Sequence, residues 1–258
     1  MKFLILLFLV VNTAWAKPAP SRLEPSVLLY NLTDNAVVHA EHTQEIRPMA
    51  SITKVMTALV ALELQHDPRG KVSVYKGLGG ILPKKEFTRH EILTAMIVRS
   101  DNSAAETLAR DPPGGRDAFL SAMNVKAQQL GMHNTHFDDP SGLSKLNTST
   151  ALDIMVMLRA ALANETLRNL GVIQRTEILV EGKKKPVKVL VQNTNVTLLE
   201  EFKSIVFSKT GLTTPAGWCV ALALDENNKS YALIVLGAKN KEHRKKIVEK
   251  TVYTELRK

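Results

Sequence analysis

The spacing of apolar residues changes twice along the chain. Near the start, "SVLLYNLTDNAVVHAEH" reads as a hairpin, with strand-like Val27 to Leu32 and Ala36 to Ala40 on either side of the turn residues "TDN". The period then lengthens. Over residues 51 to 64, Ile52, Val55, Met56, Leu59 and Leu62 recur at helical spacing, and Ala58 and Ala61 add helix propensity. "TRHEILTAMIV" begins a second helix, where Thr88 and Glu91 form a capping-box pattern. Polar residues in "RSDNSAAETLA" interrupt it before a further helical turn or two. "GGRDAFLSAMNVKAQQLGM" predicts another helix that stops at Gly131, and "TSTALDIMVMLRAALAN" a fourth. After residue 170 the period shortens again. "EILVE", "VKVLVQ", "GWCVALALD" and "SYALIVLGA" are strand-like and separated by turn residues such as "DENNK". From about Lys239 the chain is charged and helical.

Strand-rich ends around a helical middle predict an α/β fold of the α+β type. Short turns between successive strands imply antiparallel pairing. The expected architecture is one antiparallel sheet built from both chain ends, packed with the terminal helix and a largely helical insertion over residues about 51–168.

The first residues interrupt this picture. Lys2, the apolar run Phe3 to Val11, and Ala14-Trp15-Ala16 have the three parts of a cleaved export signal, and the run is too short to span a bilayer. Residues 1–16 are therefore expected to be removed, leaving 17–258 as one large domain. The formal net charge of +9 suits contact with anionic polymers, and export argues against nucleic acid as the partner. The densest basic run, "GKKKPVK" at Gly182 to Lys188, reads as a solvated hairpin tip. The single cysteine, Cys219, excludes an intramolecular disulfide and reads as a small buried strand residue. No second apolar stretch reaches membrane-spanning length.

Against that background "PMASITKVMTA" stands out, because a hydroxyl and an amine sit three residues apart in a greasy helical segment. Buried polar groups without partners are costly, so the pair calls for a chemical reason. On a helix Ser51 and Lys54 share a face, and Ser51 falls at the helix start, where the dipole favours developing negative charge. A second pair, Ser73 and Lys76, lies in the alternating "KVSVYK", where residues three apart point to opposite faces. Two further motifs follow in order: Ser100-Asp101-Asn102 and Lys209-Thr210-Gly211. The ordered trio is a signature of penicillin-binding proteins and class A β-lactamases.

The resemblance extends well beyond the trio. "PMASITKVMTA", "RSDNSAAETLA", "LGMHNTHFDDPSGLSKLNTSTALDI" and "FSKTGLTTPAGWC" resemble segments of the low-molecular-mass penicillin-binding proteins, the serine DD-peptidases of bacterial cell walls. The likeness spans nearly the whole of 17–258 and is greatest to the short periplasmic DD-endopeptidase branch. The chain ends at Lys258, without the extra β-domain and amphipathic anchor usual in the related carboxypeptidases. The resemblance implies a β-lactamase/DD-peptidase-like fold, no cofactor, a periplasmic location, peptidoglycan stem peptides as substrate and β-lactams as acylating inhibitors. It implies that Ser51 is the nucleophile, Lys54 the base and Ser100 the proton relay to the leaving amine. Asn102 would meet the substrate backbone. Burial and a nearby cation would lower the Lys54 pKa, and Lys209 would be that cation and would attract a carboxylate. The backbone N–H groups of Ser51 and Leu212 would form the oxyanion hole. Thr210 and Gly211 would lie in a strand whose edge pairs with the peptide. Arg244, in "GAKNKEHR", stands where some members carry a carboxylate-binding arginine, although an exposed helix arginine fits the pattern equally well.

Other readings remain open on the residues alone. "HNTHFDD" gathers His133, His136, Asp138 and Asp139 at zinc-compatible spacing, but the family likeness covers this loop and needs no histidine there, so no metal is assigned. Glu165 to Asn169 faintly echoes the deacylating loop of a β-lactamase and reads more simply as the end of a helix. A D-Ala-D-Ala carboxypeptidase, a β-lactamase and a catalytically silent peptidoglycan-binding protein are the alternatives to an endopeptidase.

Overall fold

The computed structural model describes residues 24–64, 67–181 and 185–257. The expected leader, 1–16, and the first residues of the basic run, 182–184, lie outside the described residues. The chain opens with β1 (Ser26–Asn31) and β2 (Ala36–Glu41), turned by Asn31, whose side chain accepts from Thr33 and Asp34 N–H. A short strand β3 (Arg47–Pro48) leads through a single 3-10 turn, Ala50–Ile52, into α1 (Thr53–Leu64). A small hairpin of β4 (Lys71–Ser73) and β5 (Glu86–Thr88) precedes α2 (Arg89–Val98), α3 (Asn102–Arg110) and α4 (Gly115–Gln129). After β6 (Thr148–Ser149) come α5 (Ala151–Ala163), α6 (Glu165–Gly171), β7 (Arg175–Val180), β8 (Val187–Gln192) and α7 (Val196–Glu201). The chain closes with β9 (Ile205–Thr213), β10 (Gly217–Glu226), β11 (Lys229–Ala238) and α8 (Lys241–Leu256).

As expected, one antiparallel sheet joins the two chain ends, in the order β2-β1-β11-β10-β9. Alternate residues of its inner strands feed two cores. Val27, Leu29, Val220, Leu222, Leu233 and Val235 pack with Val248, Val252 and Leu256 of α8. Leu28, Phe207, Ala221, Ala223, Ile234 and Leu236 join the helical layer on the other side. Burial on both faces is why β10 and β11 read as unbroken apolar runs rather than strict alternation. The helical layer centres on α1, whose residues Thr53 to Ala61 are all buried. The Thr88 capping box forms as expected, with Thr88 accepting from Glu91 N–H and Glu91 accepting from Thr88 N–H.

Three expectations need correction. β7 and β8 do not extend the main sheet but form a separate two-stranded ribbon. Only Ile178, Val180 and Val191 reach the core, and Leu179, Val187 and Leu190 stay exposed. Glu165 to Asn169 does not end a helix. Asn164 leaves helical geometry and its side chain accepts from Leu167 N–H, so a new helix, α6, starts there. Arg244 is a buried residue of α8, not an exposed one.

The difference between sheet and ribbon is measurable by urea unfolding. Leu233→Ala, at a position with no exposure, should cost about 2–5 kcal/mol. Leu190→Ala, 56% exposed on the ribbon, should change stability by no more than about 0.5 kcal/mol.

Candidate active site

The site lies where the start of α1, the α2–α3 junction, the loop before β6 and the outer strand β9 converge. Ser51 sits in the 3-10 turn and Lys54 in the first turn of α1, so the two side chains share a face. Lys54 Nζ is 2.9 Å from Ser51 Oγ, 2.7 Å from Asn102 Oδ1 and 2.5 Å from the Ser141 carbonyl oxygen. The amine is wholly buried, and burial drives its pKa down to about 7, against the opposing pull of the Asp139 and Asp101 carboxylates. The Ser73–Lys76 pair behaves as its strand pattern implies: Lys76 donates instead to the Leu82 carbonyl, 2.8 Å away.

The second motif is held under strain. Ser100 adopts φ +65 and Ala50, just before Ser51, φ +49, both in the left-handed region that costs a non-glycine residue about 1–3 kcal/mol. The Asp101 carboxylate fixes the first of these bends by accepting from Ala104 N–H (2.9 Å) and Ile81 N–H (2.7 Å), which caps α3 and pins the preceding loop. Asn102 is the first residue of α3. Its carbonyl oxygen is taken by Lys54, which leaves the Nδ2 end for a substrate.

The third motif lies on β9, which pairs with β10 on one side only and so offers a free edge. Lys209 Nζ donates to Ser100 Oγ (2.8 Å) and to the Thr210 carbonyl (2.9 Å). Burial pushes its pKa well below the usual lysine value, and the charges of Lys54 and Arg244 push it further. Burial and a neighbouring cation are both expected to lower the Lys54 pKa; burial is the chief cause at both amines, and the mutual repulsion of the two lysines falls on Lys209. Gly211 is required by contact, because a Cβ there would lie 2.8 Å from the Met49 carbonyl oxygen and 3.2 Å from Ser51 N. Thr210 Oγ1 is 2.6 Å from Thr194 Oγ1. Arg244 reaches the same region from α8, donating to the Cys219 carbonyl (3.2 Å) and to Asn195 Oδ1 (3.4 Å). Its Nε is buried and has no partner among the described residues, and burial lowers its pKa to about 10. Cys219 is a buried strand residue, as expected, its thiol pKa raised by burial to about 11.

The loop "HFDDPSGLSKLN" serves the site in a way the sequence reading missed. The sequence offers Asp139 only as part of a possible zinc cluster, to which no metal is assigned. Its carboxylate accepts from the N–H groups of Ser141, Gly142 and Ser144 and from the Ser141 hydroxyl. These bonds outweigh burial and hold its pKa below the usual carboxylate value. Asn147 completes the loop, accepting from Asp138 and Asp139 N–H and donating to Thr53 Oγ1 and the Asp139 carbonyl. Together they aim the Ser141 carbonyl at Lys54. A run of Asp, Ser, Gly and Asn that can fold on its own backbone was the available signal. Among the described residues no three His, Cys, Asp or Glu side chains come together as a metal site.

A serine hydroxyl beside a buried amine with a pKa near neutrality, next to a second buried lysine, an arginine and a free strand edge, defines a serine acyl-transfer site. Comparison with known proteins identifies its family. The family model described as D-alanyl-D-alanine carboxypeptidase matches residues 16–240. A D-alanyl-D-alanine endopeptidase of Escherichia coli is 36% identical over 240 residues, covering 89% of this chain and 76% of that protein. One from Haemophilus influenzae is 33% identical over 226 residues, covering 84% and 76%. Among solved structures, a cefotaxime-bound penicillin-binding protein of Listeria monocytogenes superposes with a TM-score of 0.76 at 25% identity, covering 87% of this chain and 94% of that one. The chain belongs to the D-alanyl-D-alanine carboxypeptidase family, the serine-type DD-peptidases, and is a hydrolase. No helix among the described residues is long and apolar enough to cross a membrane.

Two glycines with nearly the same backbone angle test the contact between loop and nucleophile. Gly142 has φ +82 and a Cβ there would meet the Ala50 carbonyl at 2.0 Å, whereas Gly131 has φ +80 and open space. Gly131→Ala should cost about 1 kcal/mol of backbone strain. Gly142→Ala should cost roughly 2–4 kcal/mol and slow acylation by penicillin, since Ala50 and Ser51 must shift. Urea unfolding and stopped-flow acylation separate the two effects.

Proposed function

We propose that the chain is a periplasmic DD-endopeptidase, a single peptidase domain following a cleaved leader, that cuts D-alanyl–diaminopimelate cross-links of peptidoglycan through a Ser51 acyl-enzyme. The observation that carries the chemistry is the 2.9 Å approach of the buried Lys54 Nζ to Ser51 Oγ. Free lysine has a pKa of about 10.4 and is nearly all protonated at neutral pH. An amine near 7 is about half neutral there and can take the serine proton as Oγ attacks the D-alanyl carbonyl carbon.

The developing oxyanion is received by the N–H groups of Ser51 and Leu212, each such donor being worth about 3 kcal/mol. Collapse of the tetrahedral intermediate breaks the C–N bond, and Ser100 passes a proton to the leaving amine. Water then cleaves the acyl ester. Asn102 Nδ2 and the free edge of β9 hold the peptide, with Thr210 and Gly211 in the paired strand. Lys209 and Arg244 attract the carboxylate of the leaving residue. Binding that anion favours the charged form of Lys209, and the restored charge favours neutral Lys54. The same acyl-enzyme serves terminal D-alanine release, and the match to the carboxypeptidase family model favours that second reading. Relatives named endopeptidase, at 31–36% identity, favour cross-link cleavage over it.

Digestion of purified cross-linked muropeptides tests the bond cut. Mass spectrometry should find dimers converted to monomers, and release of D-alanine alone would make the enzyme a carboxypeptidase. Penicillin should add its mass to the peptide containing Ser51 and should leave Ser51→Ala unlabelled. Rapid turnover of that adduct would point to a β-lactamase, and no adduct on the wild type to a silent binder.

The two lysines should respond differently to arginine. Acylation by a fluorescent penicillin should rise with pH through a midpoint near 7 and level off above it, because the neutral amine is the reactive form. Arginine stays protonated, so Lys54→Arg should lose a factor of about 10⁴ or more at every pH. Lys209→Arg keeps a charge where a charge is needed and should lose clearly less. Equal losses in both variants would remove Lys54 from the role of base.

A further inference from the structure

The α8 face of the sheet beside the reaction centre carries two apolar side chains that the chemistry above does not use. Gly211 faces Met49 and Ala50, so its strand neighbours Thr210 and Leu212 point to the opposite face. Leu212 is paired directly with Trp218 of β10, which sets their side chains next to each other. Trp218 packs at the margin of the core under α8, and the Arg244 guanidinium lies over its ring at 5.6 Å. Leu212 is 49% exposed, a large apolar residue on the open edge of the strand that carries Lys209. Next to this pair are the Thr210 and Thr194 hydroxyls and the buried Nε of Arg244, unpartnered among the described residues.

In a DD-peptide bond the carbon that bears the scissile nitrogen also bears a carboxylate. A carboxylate drawn to Arg244 and Lys209 therefore fixes that carbon beside Thr210. The side chain on the same carbon then falls within one residue spacing of Leu212 and Trp218. For a terminal D-alanine that side chain is a methyl group. For a cross-linking diamino acid it is a chain of methylenes. We infer that Leu212 and Trp218 form an apolar shelf for the alkyl side chain of the leaving residue, and that this shelf favours a cross-linked diamino acid over terminal D-alanine. The inference rests on the DD-endopeptidase reading above. It adds the residues that select the leaving group. Selection of this kind rests on methylene contacts, each able to change a rate ratio by roughly tenfold or more.

The test compares kcat/KM for cleaving a cross-linked muropeptide dimer with kcat/KM for releasing D-alanine from a pentapeptide monomer. Leu212→Ser and Trp218→Leu should each lower the dimer-to-monomer ratio by roughly tenfold, and Leu212→Met should restore most of it. Urea unfolding reports that each variant is folded, and penicillin acylation of Trp218→Leu reports that Ser51 stays reactive. If Trp218→Leu fails to fold, Leu212→Ser, at an exposed position, decides the matter. Variants that are acylated but keep the wild-type ratio, or lose both activities in proportion, overturn the shelf alone. A wild type that penicillin does not acylate overturns the Ser51 reading, and the shelf with it.

Discussion

A lysine amine kept out of water is the constraint on which the site depends. Lys54 sits among a serine hydroxyl, an amide oxygen and a backbone carbonyl, and each acceptor comes from a different part of the chain. All three are neutral. They satisfy the amine's hydrogen bonds without supplying the full negative charge that would pin its proton. The carboxylates that do oppose neutrality, Asp139 and Asp101, are each committed to backbone N–H groups. This arrangement keeps the amine near the point of losing its proton. A direct carboxylate partner would hold it as a spectator ammonium.

The same logic explains why so much of the surrounding architecture is polar loop on rigid support. The Asp139–Asn147 loop exists to present one carbonyl. The strained Ser100 bend presents one hydroxyl to Lys209. Gly142 and Gly211 let a loop and a strand close tightly on the Met49–Ser51 segment. Strain at Ala50 and Ser100 is tolerated because buried helices α1 to α3 and the sheet fix both sides of each bend.

The periodic parts of this fold were legible in the sequence because burial imposes them locally. The hairpin of β1 and β2, the longer helices and the two central strands follow from residues within a few positions of one another, whereas the short helices α6 and α7 do not. The ribbon of β7 and β8 was not distinguishable from sheet strands, because its Ile178, Val180 and Val191 give it the same alternation. The three motifs were legible as motifs, and the structure brings them together. The supporting residues were not. Asp139, Asn147 and Thr194 act through hydrogen bonds whose partners are fixed only in the folded loop, and Arg244 changes from surface to interior according to how α8 docks. Gly211 was legible as a motif residue, but the reason it must be glycine, the Met49 carbonyl placed against it, was not.

The sheet that frames the site has a temporal consequence. β1, the first of the described strands, has its inner neighbour in β11, the last of them, so this contact joins segments about 200 residues apart. The serine and its lysine are synthesised early, yet Lys209, Gly211 and the free strand edge come from the same late hairpin of β9 and β10. Folding dominated by such distant pairings is slow, and no fragment lacking the final strands can assemble the pocket that dehydrates Lys54. The nascent and partly folded chain is therefore an unarmed one. Competence to attack a peptide requires closure of the sheet.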